Sequence, residues 1–161
     1  MGSTWRWRLA LVMVAAVLAA CGGAPPPDPA DDFIASGTVI LPPGSPLTLT
    51  DLRALGPYSA SDLDTDGSFS VEMTDEGVGL VAVADASGQV VLLGYVDTAT
   101  DGTDVSSRST ALAMLYFALG GLFREAELQE RMVELLADDP IVDDLATELE
   151  VMLAADPAAI A

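Results

Sequence analysis

The sequence predicts an α+β protein: a small antiparallel β-sandwich followed by a three-helix C-terminal unit. Three observations carry that expectation. Between Phe33 and Val105, short apolar or alternating stretches are separated by turn residues, a pattern of strands and not of helices. After Val105 the apolar spacing becomes helical. Ahead of both lie 32 residues whose composition suits export and tethering. The expected division is therefore 1–20 signal segment, 21–32 tether, 33–105 sandwich and 106–161 helices packed on the sandwich.

Arg6 and Arg8 give the N-terminus positive charge, and the twelve residues from Leu9 to Ala20 are all apolar. A positive start, an apolar run and small residues before a cut make a secretory signal. Twelve helical residues rise only ~18 Å, short of the ~30 Å of a bilayer core. Cys21, the only cysteine, follows in the string Leu18-Ala19-Ala20-Cys21-Gly22. That string resembles the lipobox of bacterial lipoproteins. The resemblance implies cleavage before Cys21, a thioether-linked diacylglycerol on its sulfur and acylation of the freed amine. One acyl chain holds a protein only marginally, whereas two or three make anchoring lasting. The plainer alternative is an ordinary signal, cut elsewhere, with Cys21 discarded or left as a free thiol. Gly22 stands where some lipoproteins carry an aspartate that retains them at the inner membrane, so the same resemblance leans towards the outer membrane.

All 25 acidic residues lie beyond Cys21, against Arg53, Arg108, Arg124 and Arg131, which leaves a formal charge of −21 there. Such a field repels nucleic acid and anionic lipid and attracts cations or basic partners. A plain solvated acidic surface accounts for the same numbers. From Gly22 to Asp32 the chain holds two adjacent glycines and four prolines and has no apolar period. Proline-rich segments of this kind are stiff spacers.

The sandwich elements follow in order. Ser36 to Leu41 is β-branched and apolar, and the run Pro42-Pro43-Gly44-Ser45-Pro46 ends it. Leu52 to Leu55 forms a second strand. Phe69, Val71 and Met73 alternate with Ser68, Ser70 and Glu72, the period of a half-buried strand. Thr74 to Gly77 turns into the apolar run Val78 to Ala84, and Asp85 to Gly88 turns into a strand from Gln89 to Val96. About five strands at this spacing need covered inner faces.

Ser36-Gly37-Thr38-Val39, Leu52-Arg53-Ala54-Leu55 and Thr65-Asp66-Gly67-Ser68-Phe69-Ser70-Val71 together resemble the carboxypeptidase-regulatory-like, transthyretin-like sandwich of bacterial envelope proteins. The likeness spans roughly Phe33 to Ala84. It implies a fold and a spacer or interaction module without catalysis of its own, because its motifs are turns and strand faces.

Beyond the Thr-, Asp- and Gly-rich loop from Asp97 to Asp104, Ala111 to Phe123 carries no polar side chain except the Tyr116 hydroxyl. Ser107 or Ser109 is expected to cap this helix and Gly120-Gly121 to end it. It reads either as a core element or as a surface that inserts into a membrane or binds a partner. Large exposed apolar patches are uncommon on monomers, which favours the core. A second helix runs from Glu125 to Ala137, with Leu128, Met132 and Leu135 on one face and Glu127 paired to Arg131. Asp139 caps a third helix whose first position is Pro140. Its expected stripe is Ile141, Leu145, Leu149, Met152 and Leu153.

Without histidine or lysine, no Ser-His-Asp, Cys-His or Ser-Lys arrangement and no Schiff base can form. A lone cysteine makes no disulfide and, with no histidine, no zinc site. Carboxylate pairs remain open to acid/base work, but 25 acids pair by coincidence. The one metal-like constellation is Asp62-x-Asp64-x-Asp66-Gly67, which matches the opening of a calcium loop, with Phe69 at its apolar eighth position. Its twelfth position is Met73, where a bidentate Glu belongs, and Glu72 falls one residue short. As a hairpin turn the same residues serve backbone geometry.

The expectation is a lipid-anchored envelope protein, held to the membrane through Cys21, with a binding or structural role as spacer or assembly subunit. No cofactor, nucleic acid or catalytic residue is expected. The alternatives are a calcium-binding surface module, or the N-terminal part of a carboxylate-dependent enzyme that continues past Ala161.

Overall fold

The computed structural model describes residues 33–73, 78–97 and 102–157. The signal segment, Cys21, the tether and the Thr74–Gly77 turn lie outside the described residues. Within them the order is β1 (Phe33–Val39), β2 (Leu52–Leu55), β3 (Ala60–Asp62), β4 (Ser68–Met73), β5 (Val78–Asp85), β6 (Val90–Asp97) and β7 (Thr103–Val105). The helices α1 (Ser107–Ala118), α2 (Ala126–Ala137) and α3 (Pro140–Ala155) follow.

The strands form two sheets, β4-β1-β7 and β3-β2-β5-β6. This is the expected α+β class, with strands first and helices last. One pairing departs from it. β1 runs antiparallel to β4, from Phe33 opposite Met73 to Thr38 opposite Ser68, but parallel to β7, with Gly37 opposite Thr103. The chain crosses from the second sheet to the first after β6, so β7 joins β1 in the same direction. β3 and β7 are three-residue strands that the sequence pattern did not resolve. β7 sits at the end of the stretch expected to be loop.

Alternation places the core. Phe69, Val71 and Met73 are buried, while Ser70 and Glu72 are exposed. Leu52 and Ala54 of β2 and Val81 and Val83 of β5 face them from the second sheet. Burying side chains of this size contributes ~1.5–3 kcal/mol each. The two layers approach closely where glycine permits it. A Cβ on Gly94 of β6 would lie 2.7 Å from Cγ2 of Val105 in β7.

β6 is an edge of the four-stranded sheet, and α1 covers it. The Thr110 hydroxyl accepts from the Leu93 N–H at 2.9 Å, and the Ser109 hydroxyl donates to the Leu93 carbonyl at 2.8 Å. An edge strand left open would invite further pairing, and these side chains occupy it. Thr110 is fully buried yet satisfied.

The helix cap is Ser106, not Ser107 or Ser109. Ser106 and Ser109 form a reciprocal capping box, so α1 starts four residues before the apolar run. It ends at the glycine pair, as expected. Gly120 adopts φ 74°, the left-handed conformation that closes helices, and Gly121–Phe123 forms a separate 3-10 turn. α1 packs against β6, α2 and α3, and it buries Ala111, Leu112, Ala113 and Tyr116.

Asp139 caps α3 by accepting from the Ile141 N–H at 3.0 Å, with Pro140 at the first position, as expected. Its buried residues are Val142, Ala146, Leu149 and Leu153, while Ile141 and Met152 are exposed. The seam is rotated because small side chains, not only long aliphatics, face α1. α2 shows the same correction. Val133 is its buried residue, Met132, Leu136 and Ala137 flank the core, and Leu128 and Leu135 are exposed. Arg131 pairs with Glu134 at 3.5 Å and not with Glu127.

Candidate functional site

Cys21 is the residue on which the sequence reading rests, and it lies outside the described residues. The functional geometry that is described concerns the two opposite ends of the sandwich.

At one end sit the acidic turns. The Gly67 N–H donates to the Asp64 carbonyl at 2.9 Å and the Asp64 N–H to the Ser68 carbonyl at 3.0 Å, with Gly67 at φ 85°. This is a tight turn between β3 and β4, closed by a left-handed glycine. Asp66 accepts from the Ser68 N–H, which holds its carboxyl below the usual carboxylate range. Asp64 accepts from the Ser68 hydroxyl at 3.1 Å. Asp62 instead bonds Arg53 at 2.7 Å across β2 and β3. The three calcium-loop carboxylates thus have separate partners, and among the described residues no three acidic groups gather around one point. Met73 and Glu72 lie at the other end of β4, beyond reach of this turn. Asp85 closes the β5–β6 turn at this acidic end. It accepts from the Ser87 hydroxyl and N–H and the Gln89 N–H, which lowers its pKa.

The opposite end is apolar. Phe33 begins β1 there, opposite Met73, whose methyl group fills the space beside Gly79. Val78 and Gly79 line a groove of about 440 Å³ on the outer face of the four-stranded sheet, together with Leu55, Pro57, Leu80 and Leu122. The Gln129 side-chain amide oxygen accepts from the Val78 N–H at 3.5 Å, which ties the first turns of α2 to this end. Ile34, opposite Glu72, is 61 % exposed, Tyr58 in the β2–β3 turn 64 % and Phe123 91 %, with Leu119 and Leu122 half exposed. Arg124 follows Phe123 and pairs with no acid among the described residues, whereas Arg53, Arg108 and Arg131 are paired.

A second depression, of about 360 Å³, lies between Ile40, Tyr95, Asp104 and Arg108. Its cation is engaged, since Arg108 bonds Asp143 at 2.8 Å and the Ala137 carbonyl at 2.7 Å. Among the described residues no helix is long and apolar enough to cross a membrane.

Ile34 and Tyr58 come from separate stretches of the chain, and only the β1–β4 pairing and the β2–β3 turn bring them to one end. Leu122 and Phe123 close the apolar run from Ala111 and are hard to tell from core residues by hydropathy alone. The expected stop at Gly120-Gly121 does set them apart from the helix. No family model matches the chain, and no curated protein matches it.

Proposed function

We propose that this protein is a lipid-anchored component of a bacterial cell envelope, acting as a non-catalytic spacer or assembly subunit. One observation carries the reading. The sole cysteine stands at the end of a twelve-residue apolar run, behind small residues and before a Gly- and Pro-rich segment. Acyl chains on Cys21 would supply the membrane affinity that the acidic body itself lacks.

The body supports a mechanical or binding role. Two sheets and three helices share one hydrophobic core, and the turns that resemble a transthyretin-like sandwich serve backbone geometry. With neither histidine nor lysine in the sequence, the common nucleophile–base pairs are unavailable. The absence of an aspartate after Cys21 favours the outer membrane.

Labelling cells with an alkyne analogue of palmitate tests the anchor. The wild-type protein takes up the label and the Cys21→Ser variant does not. An unlabelled wild type, or equal labelling of both, refutes the proposal.

A further inference from the structure

We propose that the apolar end formed by Leu119, Leu122 and Phe123 rests in the interface of a zwitterionic bilayer, as a second membrane contact beside the acyl anchor. The inference builds on the lipid-anchor reading above.

Four observations favour a bilayer as occupant. First, the body begins at this end. Phe33 opens β1 opposite Met73, Met73 adjoins Gly79, and Gly79 shares a groove with Leu122. Second, only eleven residues, Gly22 to Asp32, separate Phe33 from Cys21. Fully extended they reach at most ~40 Å. The tether thus joins the body at this end, and the acidic turns lie at the far end of β1. Third, the exposed side chains suit an interface. Phe123 is 91 % exposed on a Gly-Gly turn, where an aromatic ring and neighbouring leucines can enter the headgroup boundary while the backbone stays outside. Fourth, Arg124 adjoins Phe123 without an acidic partner among the described residues, and is free to bond a headgroup phosphate. Net charge selects the lipid class. At −21, with Glu72 at this end and Glu125 following Arg124, the protein is repelled by anionic headgroups, so the match is to neutral ones.

Tryptophan fluorescence tests this directly, because Trp5 and Trp7 are the sequence's only tryptophans and leave with the signal segment. Lipidated Phe123→Trp protein is placed in phosphatidylcholine vesicles with and without bromine on the acyl chains. Ala86→Trp, in the exposed turn at the acidic end, is the reference. Flotation on a density gradient is read on the same samples. The expected result is flotation of both variants, with a blue-shifted, bromine-quenched signal from Phe123→Trp alone. Flotation with a water-like, unquenched Phe123→Trp signal overturns the second contact and leaves the anchor standing. A blue shift without quenching also overturns it, because a second copy or another protein then covers the tip. Failure to float removes the anchor and this contact together.

Discussion

Gly121 leaves the space that the ring of Tyr116 occupies: a Cβ added to Gly121 would fall within the contact distance of three ring atoms. The pair locks the end of α1 to the turn that follows it. Gly121→Ala is expected to cost ~1–3 kcal/mol through overpacking, read as a shift of the urea midpoint. In a Tyr116→Leu background the added cost should shrink. An equal cost in both backgrounds would dissociate the two residues.

The Tyr116 hydroxyl is buried and has no hydrogen-bond partner among the described residues, and burial raises its pKa. The folded protein therefore holds the phenol neutral where the unfolded chain would ionise. Stability from this group is intact below about pH 10, the ordinary tyrosine value, and falls as pH rises past it. Tyr116→Phe removes an unsatisfied polar atom, so it should be neutral or stabilising by ~1 kcal/mol. The alkaline loss should also become smaller. Destabilisation by Tyr116→Phe at neutral pH would show that the hydroxyl has a partner.

Thr110 closes the edge of β6. Replacing it with valine keeps the shape but leaves the Leu93 N–H without its 2.9 Å acceptor. The expected cost is ~1–3 kcal/mol, the penalty for a buried donor left unpaired. Hydrogen exchange at the Leu93 amide should accelerate more than at neighbouring β6 amides. Unchanged protection there would contradict the edge-capping role.

Asp85 accepts three hydrogen bonds in its turn, and its pKa is lowered. Its contribution is present above the ordinary carboxylate pKa near 4 and is lost as pH falls through the lowered folded value. Asp85→Asn keeps an acceptor oxygen but cannot titrate. The gap between wild type and variant in melting temperature should therefore narrow between pH 5 and pH 2, values chosen to bracket that loss. A gap independent of pH would remove the ionised carboxylate from the account.

The sequence carried the strands best where side chains alternate or run apolar for four residues or more. Leu52–Leu55 and the core face of Ser68–Met73 were legible for that reason. Ala60–Asp62 and Thr103–Val105 were not, because three residues show no period, and the partner of Thr103–Val105 is distant in sequence. The helix positions were legible and their faces were not. Ile141 and Met152 drew the expected seam by size, whereas packing against α1 selected Val142 and Ala146. Of the site, Cys21 was read from local motif chemistry alone. The apolar end was hidden, since Ile34, Tyr58 and Phe123 lie far apart in the sequence and no local pattern connects them.

Intact-mass spectrometry of the protein extracted from membranes of its native host tests the central claim most directly. The account predicts one mature species starting at Cys21, carrying diacylglycerol on its sulfur and a further acyl chain on its amine. A chain that keeps residues 1–20, or one cut at another bond with a bare Cys21, would contradict it.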